Sequence, residues 1–440
     1  MWTGLLQILE LVFNHRVHLF LVFYILSWGI FAFRYQSAKK NKHYQNDPIR
    51  TSISAIVVSF RDRPKYLYKS LNSIAKQKHR FDEVLLAMDH DEYEINKDIA
   101  WAYSEAFNFK IVYDKHGNKR TAFAKAFKQS TGKIVYILAG DTIYPKNTTI
   151  ETLRPFIDPK VGATTIKQRI YERQRTFARR FADIMYNLRF RITYPAISSK
   201  GVLICTTGEI GAFRREILEK HIEDFLNETF MGKKCVLGDD RYLTSMVLKE
   251  GYRVVMQPTK DAVYTDAPDT IRGLIKQQLR WYRSGQRYTL KTLLLNWIPK
   301  KPAMLKIHCF ALQVMPYFFG AVVIWGILNT FFKWDPVLIM KYFPAEPILL
   351  WISGFYISMV VKTYVHLKHN KKDWLIFPLY AIFVAVVMLA VYAYALITIR
   401  KQGDWLTKTK APSLSAAKDF LSFSCLSVNS SIEKTRVIAK

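Results

Sequence analysis

Four windows of this sequence, 17–33, 304–332, 348–367 and 374–399, are predominantly apolar, each near or above the ~20 residues that cross a bilayer core. Between the first two windows, residues 47–301 show ordinary globular patterning, long enough for one α/β domain with its own core. Such a chain must satisfy two solvents at once. Its net charge of +30 over 440 residues is spread over loops and window flanks rather than drawn into one stripe. The composition therefore points to a basic membrane protein with the lipid bilayer as partner, and no nucleic-acid partner is expected.

The first window lacks a small-residue cleavage site and is followed by Arg34, Lys39, Lys40 and Lys42, so it reads as an anchor with a cytoplasmic stop. Residues 1–13 are apolar but short and carry Glu10, which suits an interfacial helix. Positive-inside counting puts the large domain in the cytosol, sends 304–332 outward and brings 348–367 back. A third full crossing would then strand the basic tail outside. Window 374–399 is accordingly expected to be a re-entrant or interfacial hairpin bent near Pro378. The expected divisions are 1–46 (interfacial segment and anchor), 47–301 (cytosolic domain), 302–400 (membrane helices, a candidate export channel) and 401–440 (basic cytosolic tail). Cys205, Cys235, Cys309 and Cys425 form no CxxC pair, so neither a zinc site nor a disulfide framework is expected. The Asn-x-Thr sites at Asn147 and Asn227 fall in the cytosolic domain and are expected to carry no glycan.

Within the domain, β-branched runs at 52–60, 83–88, 110–113 and 134–138 alternate with helical spacing at 66–77 and 119–130. That alternation predicts a mainly parallel sheet covered on both faces, with ligands bound beyond the carboxyl ends of its strands. Asp62, Asp89, Asp91, Lys119, Arg120 and Asp141 all fall at such ends. Each acid alone reads equally as a turn former. Together they describe a nucleotide-sugar site, with carboxylates for base and ribose, a Lys-Arg pair for diphosphate and an Asp for a bridging metal. No P-loop or GxGxxG supports a kinase or dinucleotide reading. Downstream, Gln277, Arg280 and Trp281 stand at i, i+3 and i+4, which on a helix gives one face an amide, a fixed cation and an indole plate for a sugar ring. The same face would also suit an interfacial helix.

From about Ser54 to Trp405 the chain resembles the membrane-embedded polysaccharide synthases of glycosyltransferase family 2, especially hyaluronan synthases and streptococcal capsule synthases. Asn118-Lys119-Arg120 is similar to the family's Gly-Lys-Arg segment, and Ala139-Gly140-Asp141-Thr142 stands where the family has Asp-Ser-Asp-Thr. Cys205-Thr206-Thr207-Gly208-Glu209 resembles the loop beneath the acceptor sugar, Gly238-Asp239-Asp240-Arg241 the catalytic-base motif, and 264–268 the lead into the Gln-x-x-Arg-Trp helix. The resemblance implies a GT-A (Rossmann-like) α/β fold and a processive, inverting transfer from UDP-sugars to a growing polysaccharide acceptor, exported across the plasma membrane.

It further implies Asp240 as general base beside Asp239, with Asp141 on Mn²⁺ or Mg²⁺. Asp62, Asp89, Asp91, Lys119, Arg120, Gln277 and Arg280 would hold the nucleotide sugar, and Trp281, Cys205, Thr207, Gly208 and Glu209 the acceptor. Trp405 and Lys408 would close over UDP, or equally snorkel at a membrane edge. Adjacent Asp239 and Asp240 are expected to raise each other's pKa. Two departures stand out. Ala139 replaces the first acid of the Asp-x-Asp pair, and the loop 61–64 is unusually basic, with Arg61 and Arg63. Single transfer to a lipid acceptor and a non-catalytic binding or export role remain the alternative readings.

Overall fold

The computed structural model describes residues 16–60, 62–103, 108–113, 118–294, 302–321 and 345–401. Among the described residues all twelve strands fall between the first two apolar windows, in the central domain. The β-branched runs form β1 (Ile53–Val58), β2 (Glu83–Met88), β3 (Phe109–Tyr113) and β4 (Ile134–Ala139). Two-residue β5 (Thr142–Ile143) precedes β6 (Val161–Ile166), β7 (Gln168–Ile170) and β8 (Ile210–Arg214). A hairpin of β9 (Thr229–Phe230) and β10 (Lys233–Lys234) follows, then β11 (Arg253–Gln257) and β12 (Val263–Thr265).

Seven strands make the main sheet in the order β11-β6-β8-β4-β1-β2-β3. Pairs β1–β2, β1–β4, β2–β3 and β6–β11 are parallel, as the alternation predicts. β8 runs antiparallel between β4 and β6, making the sheet mixed. The chain returns from the helical excursion after β7 on the carboxyl side of β4, where Ala139 N donates to Glu209 O at 3.3 Å, so the next strand must run back down. That reversal sets the segment 205–209 against the end of β4. A small second sheet, β5-β12-β7, stands beside it.

Strands β1, β2 and β6 are buried along their whole length, as expected when helices cover both faces. One apolar layer contains Leu67, Leu71, Val84, Leu86 and Tyr136. The opposite layer joins Ile56, Phe123, Phe213 and Phe225 to residues of the flanking helices, including Leu305, Phe377 and Met388. The domain core is thus continuous with the packing of the apolar segments.

Helix Arg16–Lys39 packs against residues 189–198 and against helix Ala345–His369. Lys362 Nζ donates to Ser27 Oγ at 2.6 Å, and Arg34 Nη2 meets His308 Nδ1 at 3.0 Å. Among the described residues, one helix is long and apolar enough to cross a membrane, Phe377–Ile397. The hairpin expected near Pro378 is not present. Pro378 sits in the first turn, where its missing N–H has no intrahelical partner to lose, and the helix continues through a π-helical stretch, Phe383–Met388, into Leu389–Ile397.

The turn before this helix, Lys371–Leu375, docks on the central domain through a buried carboxylate. Asp373 accepts from Arg180 Nε at 2.8 Å, contacts His366 Nε2 at 2.7 Å and pairs with Arg173; neighbouring Asp183 accepts from Arg169 Nε at 2.8 Å and Arg173 Nε at 2.7 Å. Burial opposes ionisation of both acids. Hydrogen bonds from Arg169 to Asp183, and from His366 and Arg180 to Asp373, outweigh it and hold both below the ordinary carboxylate range. With folded pKa values depressed, their stabilisation is complete above the unfolded pKa and is lost as pH falls through the folded values. Hydrogen exchange at 366–375, corrected for intrinsic rates, is therefore expected to rise when pH drops below about 4. Unchanged protection would show that apolar contacts alone hold this joint.

Candidate functional site

Asn118 opens helix Lys119–Gln129 as its N-cap, with Oδ1 accepting from Arg120 N at 2.9 Å and Thr121 N at 3.1 Å. Capping fixes Lys119 in the first turn, and its ammonium enters a cleft of about 520 Å³ over the carboxyl ends of the central strands. There Lys119 Nζ donates to Gly208 O at 3.3 Å and pairs with Asp239 at 3.2 Å. Asp62 and Asp141 line the same cleft, from the ends of β1 and β4. Gly140 between strand and acid is required by close approach, since a Cβ there would stand 2.5 Å from Asp62 Oδ2.

Gly238 is the left-handed N-cap, φ 80°, of helix Asp239–Lys249, which delivers Asp239 and Asp240 in its first turn. Asp240 Oδ1 accepts from Arg241 N at 2.8 Å, and Oδ2 accepts from the Cys205 thiol at 3.1 Å. Burial, then the Asp240 charge, pushes the Cys205 thiol up to about 12, so the sulfur stays a donor. The expectation that the two acids raise each other fails for Asp239. Burial opposes its ionisation, but the Lys119 ammonium, then Arg120, holds its carboxyl below the usual range. Glu209 moves the other way. Burial, then the Asp240 and Asp141 charges, raises it above the usual range, and its Oε1 accepts from Tyr186 Oη at 3.2 Å.

The third wall is helix Ile271–Leu294, whose Gln277, Arg280 and Trp281 all reach the cleft, as their spacing predicts. Trp281 packs 6.0 Å from Tyr186 between ring centroids, and the Arg189 guanidinium stands 5.4 Å over the indole. Thr207 takes a left-handed conformation at φ 73°, costly for a β-branched residue, and its hydroxyl accepts from Gln168 Nε2.

Asp62, Lys119, Asp141, Cys205, Thr207, Gly208, Glu209, Asp239, Asp240, Gln277, Arg280 and Trp281 are thus brought together. Arg120 is not. It turns into the core, 2 % exposed, where it pairs with Glu228 at 2.7 Å and donates to Phe225 O, Leu237 O and Tyr288 Oη at 2.9, 3.1 and 2.9 Å. Consecutive helical residues point about 100° apart, so the Lys-Arg pair cannot share one target. Asp89 follows β2 and is outside the cleft lining; Asp91 is in helix His90–Ala102. β2 lies two strands from β4, about 10 Å along the sheet. Trp405, Lys408 and Arg61 lie outside the described residues.

Sequence reasoning missed Gln168, Arg189 and Arg241, which also line the cleft. Arg241 had a signal, directly following the two acids. Gln168 and Arg189 had none, because a distant strand and a helix face bring them in.

A family model described as "Glycosyltransferase like family 2" matches residues 50–284. A hyaluronan synthase of Streptococcus pyogenes serotype M3 is 27 % identical over 404 residues, spanning 89 % of each chain. Hyaluronan synthase 3 of Xenopus laevis is 23 % identical over 420 residues, 86 % of this chain and 72 % of that protein. Among solved structures, a mannosyltransferase from Pyrobaculum calidifontis, in complex with GDP-Man and Mn²⁺, shares the fold with a TM-score of 0.58 at 17 % identity, covering 89 % of this chain and all of that one.

Proposed function

Because the chain belongs to glycosyltransferase family 2, we propose that it polymerises UDP-sugars processively, with inversion, into an extracellular hyaluronan-like or capsular polysaccharide. The observation that carries this reading is the Asp240 carboxylate, held by the Arg241 N–H and the Cys205 thiol in the same cleft as Lys119, Asp141 and Trp281. An inverting transfer needs such a base opposite the departing diphosphate. Asp240 takes the proton from the acceptor hydroxyl as its oxygen bonds to the anomeric carbon and the bond to UDP breaks. Lys119 and Arg280 face the diphosphate, and Trp281 stacks on the acceptor ring. Arg189 and Arg241 make no side-chain ion pair or hydrogen bond to another described residue, which suits an acidic sugar in the growing chain.

Asp141 fits a divalent cation, Mn²⁺ or Mg²⁺, because it shares the cleft with further carboxylates whose charge Lys119 balances only in part. Such an ion, when bound, neutralises charge developing on the leaving diphosphate. In this reading residues 47–301 form the cytosolic catalytic domain of a plasma-membrane protein. Segments 1–46 and 302–400 embed it and export the chain, and 401–440 is its cytosolic tail.

The test is incorporation of labelled UDP-sugars, singly and in pairs, by the purified chain in detergent with Mn²⁺ or Mg²⁺. Polymer identifies a synthase and its donors, UDP release without polymer indicates single transfer, and no turnover with any donor favours a binding or export role. Trp281→Ala is expected to raise the acceptor KM and shorten product while UDP titration is nearly unchanged. Stacking on one sugar accounts for about 1 kcal/mol, roughly fivefold in acceptor affinity. Equal loss of donor and acceptor binding would assign Trp281 to the fold.

A further inference from the structure

The strand that carries Ala139 is paired with β8, and an acid stands directly before that strand's first residue. Leu138 is opposite Ile210, and one step outward Ala139 N donates to Glu209 O at 3.3 Å. Ala139 and Glu209 are therefore direct cross-strand neighbours. Side chains at such positions rise from the same face of a sheet, with Cβ atoms about 4.5–5.5 Å apart. Tyr144 Oη fastens the junction, accepting from Ala139 N and lying 3.0 Å from the carbonyls of Ala139 and Glu209. Ala139, Glu209 and Asp141 all line the cleft.

We propose that Glu209 supplies the carboxylate that Ala139 lacks, so that Asp141 and Glu209 together hold the divalent cation that accompanies the nucleoside diphosphate. The inference rests on the glycosyltransferase reading above and reassigns Glu209 from the acceptor to the donor side. A methyl group at 139 leaves the space over the strand end to its neighbour, and a glutamate is one methylene longer than the aspartate it replaces, enough to lean across. Among the described residues no three acids, histidines or cysteines form a ready-made cage. A hard cation held by two protein carboxylates and completed by phosphate oxygens needs none.

A second observation points at the same space. Gln168 is fully buried and lines the cleft, and its Oε1 has no hydrogen-bond partner in the structure. Its other amide atom holds Thr207, two residues before Glu209. A buried amide oxygen without a partner costs about 1–3 kcal/mol, and a hydrated cation would satisfy it. The same bond meets the hydroxyl of Thr207, whose backbone is left-handed at φ 73°.

The experiment is Mn²⁺ binding to the full chain in detergent, followed by electron paramagnetic resonance with and without UDP, beside metal-free UDP titration. Glu209→Gln is expected to weaken Mn²⁺ binding in the presence of UDP about tenfold or more. The swap Ala139→Asp/Glu209→Gln is expected to restore it, by returning the acid to the paired position. Wild-type Mn²⁺ affinity in Glu209→Gln overturns the proposal while leaving the glycosyltransferase reading intact. So does a Glu209→Gln loss that the swap fails to restore. A wild-type chain that binds no Mn²⁺ with UDP overturns the proposal too, and an independent failure to incorporate any UDP-sugar is what would overturn the glycosyltransferase reading.

Discussion

Asp240→Asn is expected to lower sugar transfer by about 10²–10⁴-fold while leaving UDP affinity nearly unchanged. The substitution is isosteric, and an amide oxygen still accepts from Arg241 N, so the first turn of helix Asp239–Lys249 keeps its geometry. What disappears is the capacity to take a proton. Asp239 cannot stand in, because it is tied to Lys119 at 3.2 Å and its carboxyl is stabilised as the anion, burial notwithstanding. Single-turnover transfer and UDP titration on the same preparation separate the two effects. Parallel loss of both would place Asp240 in the donor site or the fold rather than in the proton transfer.

The second large effect concerns stability. Arg120→Met is expected to destabilise the domain by about 3–5 kcal/mol, because removing one partner leaves a buried charge uncompensated. Glu228, 6 % exposed, would retain Lys291 at 2.5 Å and Tyr288 but lose its guanidinium. The carbonyl of Leu237, just before Gly238, would lose one of the two arginines that donate to it, Arg120 and Arg287. Lysine should rescue poorly, since one ammonium cannot reproduce a planar fork that reaches Phe225 O, Leu237 O and Tyr288 together. Denaturation in detergent checks this, with Arg120→Met/Glu228→Leu expected to recover part of the loss by removing both charges. Full stability with weakened UDP binding would instead return Arg120 to the phosphate.

Neighbours that look alike in sequence are separated by the fold. Lys119 and Arg120 are adjacent cations in one motif, yet one lines the cleft and the other anchors the loop before Asp239 and Asp240. Asp239 and Asp240 are adjacent acids, yet one is neutralised and the other is held by an N–H and a thiol. In each pair the helix turns successive side chains toward different surroundings.

What the sequence determined by itself was local or patterned. Period and β-branching located β1 to β4 and the helix after Asn118, because a strand buried on both faces must be apolar throughout. Spacing at i, i+3 and i+4 put Gln277, Arg280 and Trp281 on one face, because helical geometry is fixed. Tertiary structure alone decided what depends on register and strand order. It ran β8 antiparallel beside β4, which sets Glu209 opposite Ala139, and it placed β2 two strands away, which takes Asp89 out of the cleft. It also brought Gln168 and Arg189 in from distant elements. Such pairings are chosen by the free energy of burying whole layers at once, and no single segment carries that information.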